Sequence, residues 1–133
     1  DASEEPKARA TVLHLEGGRG VARRAEGTLS FRPAAGGEFE TSGDREVLDH
    51  PDALRRSWHA LQGPHAGEVL VSAASGWELS DLGGGHHTGG GSHGALAEPD
   101  SLVPVLSVGI ELTAGSITDV APAIRRHFGS DGP

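Results

Sequence analysis

Residues 83–96, GGGHHTGGGSHGAL, constrain the fold more than any other stretch of the chain. Seven of the twelve residues from 83 to 94 are glycine, and glycine loses the most conformational entropy when a helix or strand forms. No regular element is therefore expected to pass through this stretch, and the chain must build its elements on either side of it. The stretch also holds three histidines, His86, His87 and His93, which are candidate ligands.

The composition indicates one domain with a thin core and an acidic balance. The chain has 133 residues, of which 35% are hydrophobic, and its aromatic residues are two tryptophans and three phenylalanines. Its 21 glycines and 8 prolines predict many turns. The formal net charge of −8 at pH 7 offers no overall attraction to a nucleic-acid phosphate backbone, so nucleic acid is not expected as a partner.

The lack of cysteine and of long apolar runs excludes some kinds of cross-link, metal ligand and membrane segment. The chain has no cysteine, which excludes disulfides and thiolate zinc ligands. No apolar run approaches the roughly 20 residues that span a bilayer, so we expect a soluble, cytoplasmic protein without a membrane partner. The opening DASEEPKARA has neither an initiator methionine nor the pattern of a signal peptide, and we expect a processed product or a piece of a longer protein.

The N-terminal third has the pattern of short strands joined by turns. Residues 10–15, ATVLHL, and residues 28–33, TLSFRP, are rich in aliphatic and β-branched residues and predict two strands. Residues 17–20 predict a turn, and a further short strand is expected near Phe39. Together these elements predict a small β-rich appendage over residues 1–49.

Residues 50–63, HPDALRRSWHALQG, have the clearest helical pattern. Apolar side chains at positions i, i+4 and i+7 predict one buried stripe of Leu54, Trp58 and Leu61. Arg55 and Arg56 are expected on a solvated face of this helix.

Two apolar runs after the helix predict further strands. Residues 67–74 contain the sequence VLV, which is typical of a strand buried on both faces of a parallel sheet. Residues 101–109, SLVPVLSVG, predict another strand. The order of elements predicts an α/β fold in which residues 50–133 form the main segment and carry the glycine stretch.

A last helix is predicted over residues 116–127. Ser116 suits its N-cap, and Asp119, three residues later, suits the acidic half of a capping box. Gly129 is typical of a helix end. Pro122 predicts either a kink or a late start near Asp119.

The glycine stretch leaves three functional interpretations open. A flexible linker fits the composition, although the stretch lies between two apolar segments and not between domains. A phosphate-binding loop lacks the expected lysine and Ser/Thr ending. A metal site fits the imidazoles, and Asp81 and Asp100 bracket the stretch, but the adjacent His86 and His87 lack the i, i+4 spacing that places two ligands on one helix face.

Three motifs give the second half of the chain a resemblance to a known family. They are SHG at 92–94, LVPV at 102–105 and DVAP at 119–122, in that order. A histidine-glycine pair after a glycine-rich segment, a strand with a proline and a helix opening with DVAP occur in the type I phosphodiesterase/nucleotide pyrophosphatase branch of the alkaline phosphatase superfamily. Residues 67–129 resemble the C-terminal part of that branch.

The resemblance implies part of a three-layer α/β sandwich and a site shared with a two-metal hydrolase of phosphate or sulfate esters. Zinc is the usual metal of the family, with other divalent metals as alternatives, and two close cations suit in-line displacement at phosphorus. By this resemblance His93 matches a metal ligand. His86, His87 and Asp81 have no fixed counterpart and are candidates for orienting a ligand or contacting the phosphate.

The family also uses a Thr or Ser nucleophile, an early aspartate ligand and an Asp-His-Gly triplet, which this sequence does not match. Asp49–His50 is followed by Pro51 and is expected to begin a helix. We therefore expect the C-terminal segment of a metal-dependent phosphodiesterase or phosphatase, which is inactive alone and binds the rest of the parent enzyme or a second copy of itself. The alternative is a self-contained small metal-binding or structural domain that uses the Gly/His loop.

Overall fold

A computed structural model describes residues 10–79, 93–113 and 115–129. By internal contacts the chain divides into one unit over Asp1–Leu102 and a second over Val103–Pro133. The domain division predicted at residues 49 and 50 stays a prediction about a parent enzyme. Asp81, His86 and His87 lie outside the described residues.

The first unit is a five-stranded antiparallel sheet with the order β4-β3-β2-β1-β5. Every neighbouring pair in the sheet is antiparallel. The first four strands form a meander, and β5 returns to pair with β1. With its helices the chain is a mixed α/β protein, as predicted. The strands are β1 Ala10–Glu16, β2 Arg19–Arg23, β3 Thr28–Pro33, β4 Phe39–Gly43 and β5 Val69–Ala73.

The predicted strands of the meander are confirmed, and one strand had been missed. β1 and β3 match the predictions for residues 10–15 and 28–33, and β4 is the short strand expected near Phe39. The predicted turn at 17–20 is shorter, because only Gly17 and Gly18 carry the positive φ angles of 57° and 76° that close the hairpin. β2 begins immediately afterwards, at Arg19.

The strand predicted within residues 67–74 is confirmed as β5, but the prediction that it belongs to a parallel sheet and is buried on both faces is wrong. β5 pairs antiparallel with β1, with Leu70 opposite Leu13 and Val71 opposite Val12. Leu70 packs against the core, whereas Val69 and Val71 are 54% and 46% exposed. A short apolar run has the same composition in a buried strand and in a half-exposed edge strand, so its hydrophobicity could not separate the two.

An α-helix and a short 3₁₀ helix pack on the inner face of the sheet. Helix α1 spans Ala53–Leu61 and buries Ala53, Ser57 and Leu61. Leu54 and Trp58, which were predicted to lie in its buried stripe, are only partly buried and pack on the edge of the core. A short 3₁₀ helix at Arg45–Leu48 adds Val47 and Leu48 to the same core.

Phe31 lies at the centre of this core and packs directly over Gly20. The two residues are opposite each other on β3 and β2, and Phe31 has no exposed surface. Its ring centroid lies 6.2 Å from that of Phe39 and 6.5 Å from that of Trp58, in tilted and edge-on arrangements that favour aromatic pairs. A Cβ atom at position 20 would overlap the Phe31 ring, so glycine is required here for packing.

The strand predicted over residues 101–109 does not form. Residues 98–101 are the short helix α2, Glu98–Ser101, and residues 102–109, all of them described, contain no strand. The apolar side chains of this segment are exposed. A strand needs a hydrogen-bonding neighbour, which apolar composition alone does not supply.

The C-terminal helix follows the capping residues from which it was predicted. A 3₁₀ turn at Ile117–Asp119 leads into helix α3, Val120–His127. Ser116 and Asp119 form the predicted capping box, in which Asp119 Oδ2 accepts from the Ser116 amide at 2.9 Å. Pro122 falls in the first turn of α3, which confirms the late start, and Gly129 ends the helix with φ 65°. None of the helices described here has the length and apolar content to cross a membrane.

Replacing Gly20 with alanine is expected to lower the free energy of unfolding by about 1–3 kcal/mol, because the added methyl group displaces the buried Phe31 ring. The measurement is equilibrium urea unfolding of the wild-type chain and of Gly20→Ala.

Gly67→Ala is the matched control for this substitution. Gly67 has no positive φ, and a Cβ atom there would lie 3.4 Å from its nearest neighbour, the Val69 carbonyl oxygen. We expect a change within about 0.5 kcal/mol. Equal unfolding midpoints for the two variants would contradict the proposed packing of Phe31 on Gly20.

Candidate functional site

A groove of about 590 Å³ lies at the carboxyl end of β5. One wall is formed by residues 71–79, which include the end of β5 and the turn after it. The other wall is formed by residues 93–95, Pro99 and Asp100. His93 is exposed in this groove. The polar and aromatic side chains along it are those of Ser72, Ser75, Trp77, Glu78, His93 and Asp100.

The segment behind His93 is anchored in the core of the first unit. Gly94 follows with φ 101°, a conformation that residues other than glycine rarely adopt. Leu96 and Ala97 are then buried, and the Leu96 amide donates to Ser72 Oγ on β5 at 2.9 Å. Two residues, Gly94 and Ala95, therefore separate the candidate ligand His93 from the point at which the chain is bound to the sheet.

Helix α2 carries the acidic side of the groove and is tied to the same segment. The Ser101 hydroxyl lies 2.9 Å from the Leu96 carbonyl oxygen and 2.7 Å from that of Ala97. Asp100 immediately precedes Ser101 and faces the groove. His93 and Asp100 thus line one groove from the two ends of a single anchored segment.

The charge of the groove suits a cation better than a free anion. Its described lining contains the carboxylates of Glu78 and Asp100 and no lysine or arginine. A phosphate group bound there would need a cation to offset these carboxylates. Within the described ranges, no three His, Cys, Asp or Glu side chains are grouped closely enough to hold a metal ion.

Among the predicted site residues, His93 and Asp100 both line the groove. Asp81, His86 and His87, predicted to orient a ligand or contact phosphate, belong to the stretch outside the described residues, and their roles stay predictions.

His50 has a structural position near the start of α1, as expected for Asp49–His50. Its Nε2 atom lies 2.8 Å from Arg24 Nη2, and Arg24 Nε donates to the buried Thr11 hydroxyl at 2.7 Å. Arg24 is a donor at both contacts, so Nε2 must be the unprotonated acceptor of the imidazole. Helix α1 begins three residues later, at Ala53, and its N-cap Asp52 has a φ of 50°, which is unusual for a residue other than glycine.

The surroundings of His50 favour its neutral form. Burial lowers the pKa of His50 below its ordinary value of 6.5, and the positive charges of Arg24 and Arg56 lower it further, while Asp49 opposes them. All of these groups belong to the elements that meet at the start of α1.

The prediction that Arg56 lies on a solvated helix face is wrong. Arg56 was expected there with Arg55, but it is half-buried and donates to four oxygen atoms. Arg55 is exposed and forms a loose ion pair with Asp52 at 3.7 Å. Adjacent helical residues differ by about 100° in direction, and only the position of the core decides which of them is buried.

Comparisons with protein-family models, with curated proteins and with solved structures give no match for this chain. The geometry of the groove and the sequence motifs are therefore the observations that bear on the function of this chain.

Acidification is expected to lower the stability of the chain through His50. With a folded-state pKa below 6.5, the unfolded state binds more protons in the interval between the two values, so stability is present above about pH 6.5 and falls as the pH drops towards the folded-state pKa. The measurement is the free energy of unfolding at about pH 7.5 and about pH 5.

His50→Gln tests this assignment, because glutamine can accept from Arg24 but does not titrate. Its loss of stability on acidification should be smaller than that of the wild type. His59→Gln, an exposed position on α1, should behave like the wild type. An identical pH dependence in all three proteins would show that His50 is not the group responsible.

Proposed function

We propose that this chain is the C-terminal segment of a metal-dependent phosphodiesterase or phosphatase, in which His93 is one ligand of a zinc site completed by residues outside the chain. The observation that carries the proposal is the position of His93, exposed in a carboxylate-containing groove and joined through one glycine to an anchored segment. The order of the SHG, LVPV and DVAP motifs in the sequence supports the same family, although residues 102–105 form no strand.

The chemistry of the groove agrees with a shared metal site. Neutral imidazole is a good zinc ligand, and a catalytic zinc ion usually has three protein ligands. The described lining of the groove contains one histidine, His93, which is exposed, and the carboxylates of Asp100 and Glu78. A bound pair of metal ions would polarise a phosphoryl oxygen and activate a nucleophile, while the residues of this chain hold one side of the site.

The partner in this proposal is the remainder of the parent enzyme or a second copy of the chain. In the first unit, β5 is the last strand of the described sheet and has no charged residue between Val69 and Ala73. Natural edge strands are commonly protected by charge, proline or a covering element. The outer edge of β5 is therefore suited to contact another polypeptide.

The second unit presents a separate apolar surface. Residues 103–108, VPVLSV, carry no charge, and Leu106 and Val108 are 93% and 95% exposed. Apolar side chains exposed at successive positions are typical of a protein–protein contact. We further propose that the chain forms part of a three-layer α/β sandwich. The substrate would be a phosphate ester, and the location would be cytoplasmic.

The proposal is tested by calorimetric titration of the chain with zinc at neutral pH, beside His93→Ala and the double variant His86→Ala/His87→Ala. We expect weak binding, because one ligand from an incomplete set holds zinc poorly, and we expect His93→Ala to abolish what binding there is.

Tight binding of one zinc ion that is lost in both variants would contradict the proposal. It would show that the Gly/His loop forms a self-contained metal site, which is the alternative function. Weak binding that His93→Ala leaves unchanged would remove His93 from the site.

Self-association of the isolated chain is expected, because described apolar side chains such as those of Leu106 and Val108 are exposed. Sedimentation equilibrium should give a mass above that of the monomer, and Leu106→Lys should lower it. The substituted side chain is almost fully exposed, so the change acts on association and not on the core. Ile117→Lys, which places the same charge at another exposed apolar position, should leave the mass unchanged. A monomeric wild-type chain would contradict this prediction.

A further inference from the structure

We propose that Arg56 is a positioning residue for His93, because its guanidinium group binds the backbone segment that carries this histidine and the helix that carries Asp100. The inference rests on the proposed function in treating His93 as a ligand. The contacts themselves are independent of any metal.

The guanidinium of Arg56 connects three parts of the first unit. Nη1 donates to the Pro51 carbonyl oxygen at 3.1 Å, to the Leu96 carbonyl oxygen at 3.3 Å and to Ser101 Oγ at 2.6 Å, and Nη2 donates to the Ala95 carbonyl oxygen at 3.3 Å. Pro51 is in the turn before α1. The other three acceptors are 39 to 45 residues further along the chain, so this one side chain fixes a long-range connection.

Only arginine can make this set of contacts. Its planar group has five N–H donors in a fixed fork, whereas lysine has a compact ammonium group with three. Two of the acceptors, the carbonyls of Ala95 and Leu96, belong to successive residues, and such a pair suits donors held in one plane. Hydrogen bonds from a charged donor are also stronger than those between neutral groups.

Arg56 and Ser72 bind opposite sides of the same peptide segment. The Leu96 carbonyl accepts from Arg56 at 3.3 Å, and the Leu96 amide donates to Ser72 Oγ at 2.9 Å. Both backbone polar groups of Leu96 are thus paired, one to α1 and one to β5. His93 lies three residues earlier, beyond Gly94, so its location in the groove depends on where this anchor holds the chain.

The same guanidinium also acts on the other side of the groove. Ser101, its nearest acceptor, is the last residue of α2 and follows Asp100. His93 and Asp100 both line the groove, and Arg56 contacts the backbone or the helix of each. Its hydrogen bonds go to three backbone carbonyl oxygens and to Ser101 Oγ, so its role is to set the spacing of the two side chains.

The experiment measures backbone mobility and amide exchange by NMR in the metal-free chain, in the wild type and in Arg56→Ala, Arg56→Lys and Ser101→Ala. In Arg56→Ala we expect the Leu96 amide, which donates to Ser72 Oγ, to exchange about tenfold faster, because the segment that holds this amide loses its hydrogen bonds from the charged guanidinium group. We expect the order parameter at His93 and Gly94 to fall, towards the values below about 0.6 that mark a flexible backbone.

Conservative and local variants separate positioning from general stability. Arg56→Lys keeps the charge but not the fork and should restore only part of the order at His93. Ser101→Ala removes one acceptor and should have an intermediate effect. It also keeps the test decisive if Arg56→Ala fails to fold. Arg55→Ala, the exposed neighbour on the same helix, is the matched control and should resemble the wild type.

The proposal is overturned if Arg56→Lys and Ser101→Ala leave His93 and the Leu96 amide unchanged, or if Arg55→Ala disturbs them equally. Loss of unfolding free energy without any change at His93 would show a merely structural role and would also overturn it. Its failure is distinct from failure of the proposed function, which is decided by the zinc titration of His93→Ala and needs no change at Arg56.

Discussion

The packing of Phe31 over Gly20 organises the first unit. A chain with five aromatic residues and 35% hydrophobic content can fill only a small core, so each large buried side chain has a large share of it. Phe31 fills the space left by the missing side chain of Gly20 and contacts aromatic rings from β4 and α1. This arrangement makes one face of the sheet the inner face and sets the side on which α1 lies.

The groove is a consequence of that one-sided core. With α1 on the inner face, the chain that returns after the glycine stretch can bury Leu96 against the same core. Leu96 brings with it a backbone whose polar groups need partners, because a buried unpaired amide or carbonyl is costly. Ser72 and Arg56 supply those partners. The exposed residues just outside the anchor, His93 and Asp100, then line a groove at the end of β5.

At the start of α1, as at Leu96, arginine side chains bind several polar groups at once. Arg24 reaches from the end of β2 to both Thr11 and His50, and Arg56 reaches back from the helix to the Pro51 carbonyl. Two positively charged groups therefore lie near one imidazole, and burial together with these charges lowers the pKa of His50. The turn that begins the helix is consequently sensitive to charge, although it lies outside the groove.

The sequence by itself determined the local features of this protein. Three of the four strands of the meander (β1, β3 and β4), the helix after Pro51 and the capping box of Ser116 and Asp119 follow from interactions between residues close in sequence. The exposure of His93 in a groove and the anchoring role of Arg56 were decided only by the tertiary structure. So were the antiparallel pairing of β5 and the absence of a strand over residues 102–109. These features depend on which distant segments meet, and apolar composition or helical spacing carries no information about the partner of a strand edge or about which of two adjacent arginines faces the core.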